Sequence, residues 1–166
     1  MTTRSIDQTD HLRVLGSGKL PAPAGPPGVH LLEAFPNLFP QRNYIIRIAY
    51  PEFTSLCPVT GQPDFATIVM EYIPDALCVE SKSFKLYMTA FRNHNAFMET
   101  ITNTVLNDLC ELLAPRWCRV NGIFAPRGGT RLHVFAEQFK ELTATETASL
   151  KEQVNAWKSE ARPYSS

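Results

Sequence analysis

What this sequence lacks narrows its chemistry before any motif is read. Its 16 basic and 16 acidic residues cancel, so nothing draws it generally to phosphate backbones or anionic membranes, and neither nucleic acid nor a membrane is expected as a partner. No uninterrupted apolar run approaches about 18 residues, and the start, MTTRSIDQTDHLRVLGSGKL, is polar. Neither a membrane span nor a secretory leader is therefore expected, and the reading is a soluble, cytoplasmic protein. The four cysteines, Cys57, Cys78, Cys110 and Cys118, make no C-x-x-C pair, and none has a histidine at finger-like spacing. Zinc and disulfide frameworks weaken accordingly, and no metal site is read. No G-x-G-x-x-G follows a strand-like run and no Walker A motif occurs, so a nucleotide would not be held in a Rossmann or P-loop manner.

What is present is the material of one domain: 166 residues, 44% hydrophobic and 19% charged, enough to bury a core without staples. Residues 1–41 read as an arm, because 16–40, GSGKLPAPAGPPGVHLLEAFPNLFP, is too rich in proline and glycine for a helix or a central strand. Residues 42–140 read as the main domain. NYIIRIAY (43–50) and DFATIVMEYIP (64–74) are strand-like, with PEFTSLCPVTGQP as a long loop between them. From Ser83 the period turns helical, and Phe97, Ile101, Val105 and Leu109 then recur every four residues until Pro115 stops the helix. WCRVNGIFA and TRLHVFAEQF read as strands joined through PRGGT, and residues 141–166 as a C-terminal helix and tail. The order strand, strand, helix, helix, strand, strand predicts an α+β fold with a four-stranded antiparallel sheet covered on one face by helices. Its open edges make self-association plausible.

Cys78, Cys110 and Cys118 sit in apolar contexts and read as buried hydrophobes. Cys57 is different, since C-P-V-T-G-Q-P-D holds a thiol and the Asp64 carboxyl at the two ends of a loop stiffened by two prolines. A turn with a buried cysteine is the plainer alternative. Lys82, Lys85 and Arg92 would fall near one face of a helix, suited to a dinucleotide phosphate or simply to solvent. Glu99 lies early in an apolar helix, where the helix dipole favours a carboxylate. The same carboxylate could complement the N–H edge of a guanine-like base.

Taken together, VESKSFKLYMTAFRNHNAFMETI, the upstream SLCPVTGQPD and the downstream PRGG resemble the QueF family, NADPH-dependent 7-cyano-7-deazaguanine reductases, in its short single-module form. The resemblance runs from about Arg42 to Gly129. It implies the tunnelling fold shared with GTP cyclohydrolase I, pentameric rings stacked in pairs as a decamer, and active sites between subunits. It further implies Cys57 as nucleophile and Asp64 as proton donor, with Val79, Glu80, Ser81, Met98 and Glu99 about the substrate. Lys82, Lys85, Arg92 and Arg127 would serve NADPH, two of which are consumed per turnover. The implied reaction reduces the substrate nitrile to an aminomethyl group through a thioimide on Cys57, a step toward queuosine in tRNA.

Where the family has histidine before the glutamate, this chain has Phe97-Met98-Glu99. Methionine packs against flat rings but cannot relay a proton. Two rival readings remain: a QueF-like amidinotransferase acting on deazaguanine-modified tRNA, against which Asp64 and E-S-K-S-F-K argue, and a non-catalytic purine- or pterin-binding module.

Overall fold

Alternating apolar residues build the main sheet. Residues 25–160 are described in a computed structural model; the first part of the arm and the last six residues of the expected C-terminal tail lie outside them. The strands are β1 (Ala34–Pro36), β2 (Ile46–Leu56), β3 (Pro63–Ile73), β4 (Leu77–Val79), β5 (Trp117–Phe124) and β6 (His133–Phe139), and the helices are α1 (Ser81–Ala90), α2 (Met98–Leu113) and α3 (Ala144–Glu160). Strands β2-β3-β5-β6 form an antiparallel sheet in that spatial order, and β1 pairs with β4 in a separate ribbon. On β3, Ala66, Ile68, Met70 and Tyr72 stand in register with Phe124, Gly122, Val120 and Cys118 of β5. Period two puts all of these on one face, which α1 and α2 cover with Phe84, Tyr87, Ile101, Val105 and Leu109. Each such side chain, fully buried, contributes about 1.5–3 kcal/mol of transfer free energy.

Helix α2 buries the expected stripe of Ile101, Val105, Leu109 and Leu113. Phe97 stands just before it as the N-cap and is 56% exposed. Ala114, at φ 41°, closes the far end in the left-handed region, and Pro115 prevents continuation. Close seating of α2 requires Gly122: a Cβ there would lie 2.6 Å from Thr102 Oγ1 and 2.7 Å from a Phe124 ring carbon. The PRGGT connection is the tight turn the glycine pair predicts, with Gly128 and Gly129 at φ 56° and 81° and Arg127 and Thr130 exchanging backbone hydrogen bonds.

Four features depart from the sequence expectations. The long loop after residue 50 is mostly strand, because β2 continues to Leu56 across an irregularity between Tyr50 and Phe53. Pro51 and Glu52 are exposed there and Phe53 returns to the core. Proline has no N–H for the ladder, so a bulge accommodates it. Second, the arm is bound to the body over its described part, since Leu32 is buried and β1 pairs with β4. Three-residue strands carry too little periodicity to be read. Third, helices are not confined to one face. Leu150 and Val154 of α3 pack with Ile73 and Trp117, whose side chains point opposite to the Tyr72 and Cys118 face. Fourth, Cys110 is only half-buried, whereas Cys78 and Cys118 are buried as expected.

Among the described residues no helix is long and apolar enough to cross a membrane, and no cluster of His, Cys, Asp or Glu could hold a metal ion.

Candidate active site

Six residues, Cys57 to Gln62, connect β2 to β3. The loop is drawn shut by Cys57 N–H donating to the Gln62 carbonyl and Gly61 N–H donating to the Cys57 carbonyl, each at 2.9 Å. Gly61 supplies the turn with φ 66°, a conformation that a side chain would penalise. The strand side of the loop is tethered as well: Leu56 N–H donates to the His94 carbonyl at 3.0 Å, and Ala96 N–H to the Leu56 carbonyl at 3.1 Å. The start of α2 is thereby fixed beside Cys57.

Cys57 is half-buried, and its thiol is brought down to about 7 from an ordinary value near 9. The Thr60 hydroxyl is the leading cause, followed by the Thr60 and Val59 backbone N–H groups and by Arg127. All of these stabilise the thiolate by donating to it. Thr60 Oγ1 also receives the Gln62 N–H at 3.3 Å and an Arg127 N–H at 3.4 Å, which leaves its own hydrogen for the sulfur.

Asp64 is 3% exposed. Arg127 reaches it from the β5–β6 hairpin, donating to Asp64 Oδ1 at 2.7 Å and to Gln62 Oε1 at 2.8 Å. Arg127, which the resemblance assigns to NADPH, ties the thiol, the carboxyl and the loop into one cluster. Sequence reasoning passed over Thr60 and Gln62; the signal available was a threonine three residues after the cysteine and next to a turn glycine.

Met98 and Glu99 open α2 at this same end of the sheet. Met98 is half-buried against the main core and Glu99 is exposed. Val79, Glu80 and Ser81 are elsewhere. The Val79 N–H donates to the Tyr72 hydroxyl at 3.1 Å, and Tyr72 is eight residues along β3 from Asp64, about 26 Å at 3.3 Å per residue. Glu80 there caps α1, its carboxylate accepting from the Lys82 and Ser83 N–H groups at 2.9 and 2.6 Å. Its own N–H donates to the Glu33 carbonyl at 2.8 Å. Of the three, Ser81 is the one left exposed.

Lys82 and Lys85 follow on α1, but Arg92 lies beyond its end in a 3-10 turn, Phe91–Asn93, about 15 Å from Lys82 along the helix axis. The cations thus line a path rather than a single patch. Arg92 borders a cavity of about 490 Å³ with Thr89, Ala90, Asn93 and His94. Exposed Lys85 and Arg92 suit the phosphates of a dinucleotide.

A thiol near neutrality and a buried carboxyl meet at one end of the four-stranded antiparallel sheet, which places the chain among small α+β proteins with a thiol suited to nucleophilic chemistry. A family model described as QueF-like protein matches residues 63–143. The NADPH-dependent 7-cyano-7-deazaguanine reductase of Desulfovibrio desulfuricans is 68% identical over 165 residues, covering 99% of each chain. The protein of the same name from Neisseria meningitidis is 45% identical over 149 residues, covering 90% of this chain and 94% of its own. The crystal structure of the apo archaeosine synthase QueF-Like superposes with a TM-score of 0.54 at 21% identity, over 57% of this chain and 92% of that one, a likeness of fold. The chain belongs to the QueF family.

Proposed function

We propose that this protein reduces the nitrile of 7-cyano-7-deazaguanine to an aminomethyl group at the expense of NADPH. The observation that carries the reading is the Cys57 loop, where Thr60 and Arg127 hold the thiol near neutrality within one cluster with Asp64. The names borne by relatives 68% and 45% identical support the substrate and co-substrate.

In this reading the Cys57 thiolate adds to the nitrile carbon and Asp64 protonates the nitrogen, giving a thioimide. NADPH supplies two hydrides, and the C–S bond breaks between them to leave an imine. Arg127 holds Asp64 and the loop in place, while Glu99 accepts from the guanine-like edge of the substrate. Lys82, Lys85, Arg92 and Arg127 serve NADPH, the first three at its phosphates. Met98 packs rather than relaying protons.

One chain does not bring Ser81 and Cys57 together, which supports a site completed by a neighbouring copy. Pentameric rings, paired as a decamer, would meet that need. The enzyme acts on the free base in the cytoplasm, where NADPH is available.

The test is intact mass after incubation with the nitrile and no NADPH. One added substrate mass per chain is expected, lost in Cys57→Ala. An adduct that survives in Cys57→Ala would remove Cys57 from this role.

A further inference from the structure

Ser55 lies two residues before Cys57 on β2 and is fully buried, and its hydroxyl has no hydrogen-bond partner. A buried hydroxyl without a partner costs free energy that alanine would avoid, so packing alone gives no reason for serine here. Its position supplies one. In the β2–β3 register Ser55 stands directly opposite Asp64, and side chains of such a pair share a face with Cβ atoms about 4.5–5.5 Å apart. Arg127 occupies Asp64 Oδ1, which leaves Oδ2 as the oxygen available to carry a proton.

We propose that Ser55 is a positioning residue for proton transfer, its hydroxyl, unengaged at rest, turning toward Asp64 during turnover to return a proton to it between steps. The inference rests on the reductase reading. Turning a nitrile into an amine takes two hydrides and at least two protons, so a single buried carboxyl must be reprotonated within each turnover. Once Asp64 has given its proton to the substrate nitrogen, the Ser55 O–H donates to the Oδ2 carboxylate oxygen. As that proton passes to Oδ2, Ser55 Oγ takes another from a water molecule, itself replenished by solvent. The serine ends unchanged, and the net transfer is one proton from solvent to Asp64.

The test compares Ser55→Ala and Ser55→Thr with the unsubstituted enzyme, following NADPH consumption with 7-cyano-7-deazaguanine and thermal unfolding. Ser55→Ala should unfold at the same or a higher temperature, yet lose about tenfold or more in kcat, a usual size for proton-transfer groups. KM for the nitrile should stay within about threefold, since the hydroxyl does not touch substrate. The solvent deuterium effect on kcat should grow, and Ser55→Thr, which keeps a hydroxyl, should recover most of the rate. A folded Ser55→Ala enzyme with kcat within about twofold of the unsubstituted enzyme overturns the assignment. Should Ser55→Ala fail to fold, Ser55→Gly, which also removes the hydroxyl, replaces it under the same criteria. If the unsubstituted protein consumes no NADPH, the reductase reading itself fails; if it does and Ser55→Ala matches it, only the role of Ser55 fails.

Discussion

With Cys57 as the proposed nucleophile, a thiol poised near neutrality should make the activity depend on pH through that one side chain. Cys57 is brought down to about 7 chiefly by the Thr60 hydroxyl, so its thiolate fraction, and with it the rate of alkylation by iodoacetamide, should rise through about pH 7. The sign follows from the chemistry: the deprotonated form attacks, so reactivity falls as pH drops below that value. Removing the hydroxyl in Thr60→Val should carry the midpoint upward toward the ordinary value near 9. A midpoint unmoved by Thr60→Val would show that the backbone N–H groups and Arg127 suffice. Met98 offers a second contrast at this scale. Half-buried against the core, it is read as packing, so Met98→His should leave turnover intact or raise it. Glu99→Ala should raise KM for the nitrile by roughly tenfold or more through lost charged hydrogen bonds. Loss of all activity in a folded Met98→His protein would contradict the packing account, and an unchanged KM in Glu99→Ala would return that carboxylate to solvent.

At the scale of elements, the contact between α2 and β5 depends on the absence of a side chain at one position. Gly122→Ala would drive a methyl to 2.6 Å from Thr102 Oγ1, and the displacement should cost about 1–3 kcal/mol. Urea denaturation reads this directly, and a midpoint equal to that of the parent would show that the helix yields freely. The same pair of elements illustrates what a sequence discloses. Helix α2 was legible because sixteen residues repeat their apolar stripe, and the PRGGT turn because glycine has few rivals at positive φ. The continuation of β2 past Pro51 was hidden, since a bulge interrupts alternation where proline already argues for a loop. Cys57 and Asp64 stood out as residue types in a stiff loop. Arg127 could not be joined to them from sequence, because the contact spans 63 positions and depends on how β5 and β6 return across β3. The cap made by Glu80 was equally hidden, glutamate being an uncommon N-cap residue.

Across the whole molecule, the residues assigned to one reaction divide between two ends of the sheet. Cys57, Asp64, Arg127, Met98 and Glu99 share one end, whereas Val79, Glu80 and Ser81 share the other, beside Tyr72. If neighbouring copies unite these ends, sedimentation should find a species of at least five chains, and activity per chain should fall on dilution into the monomer range. A stable, fully active monomer would place the entire site within one chain. The central claim is that this protein reduces a nitrile with hydride from NADPH. Its most direct measurement follows nicotinamide absorbance and product mass together when protein, 7-cyano-7-deazaguanine and NADPH are mixed. Two NADPH consumed for each nitrile converted to the aminomethyl base is the predicted result; no NADPH consumed by the folded, assembled protein would contradict it.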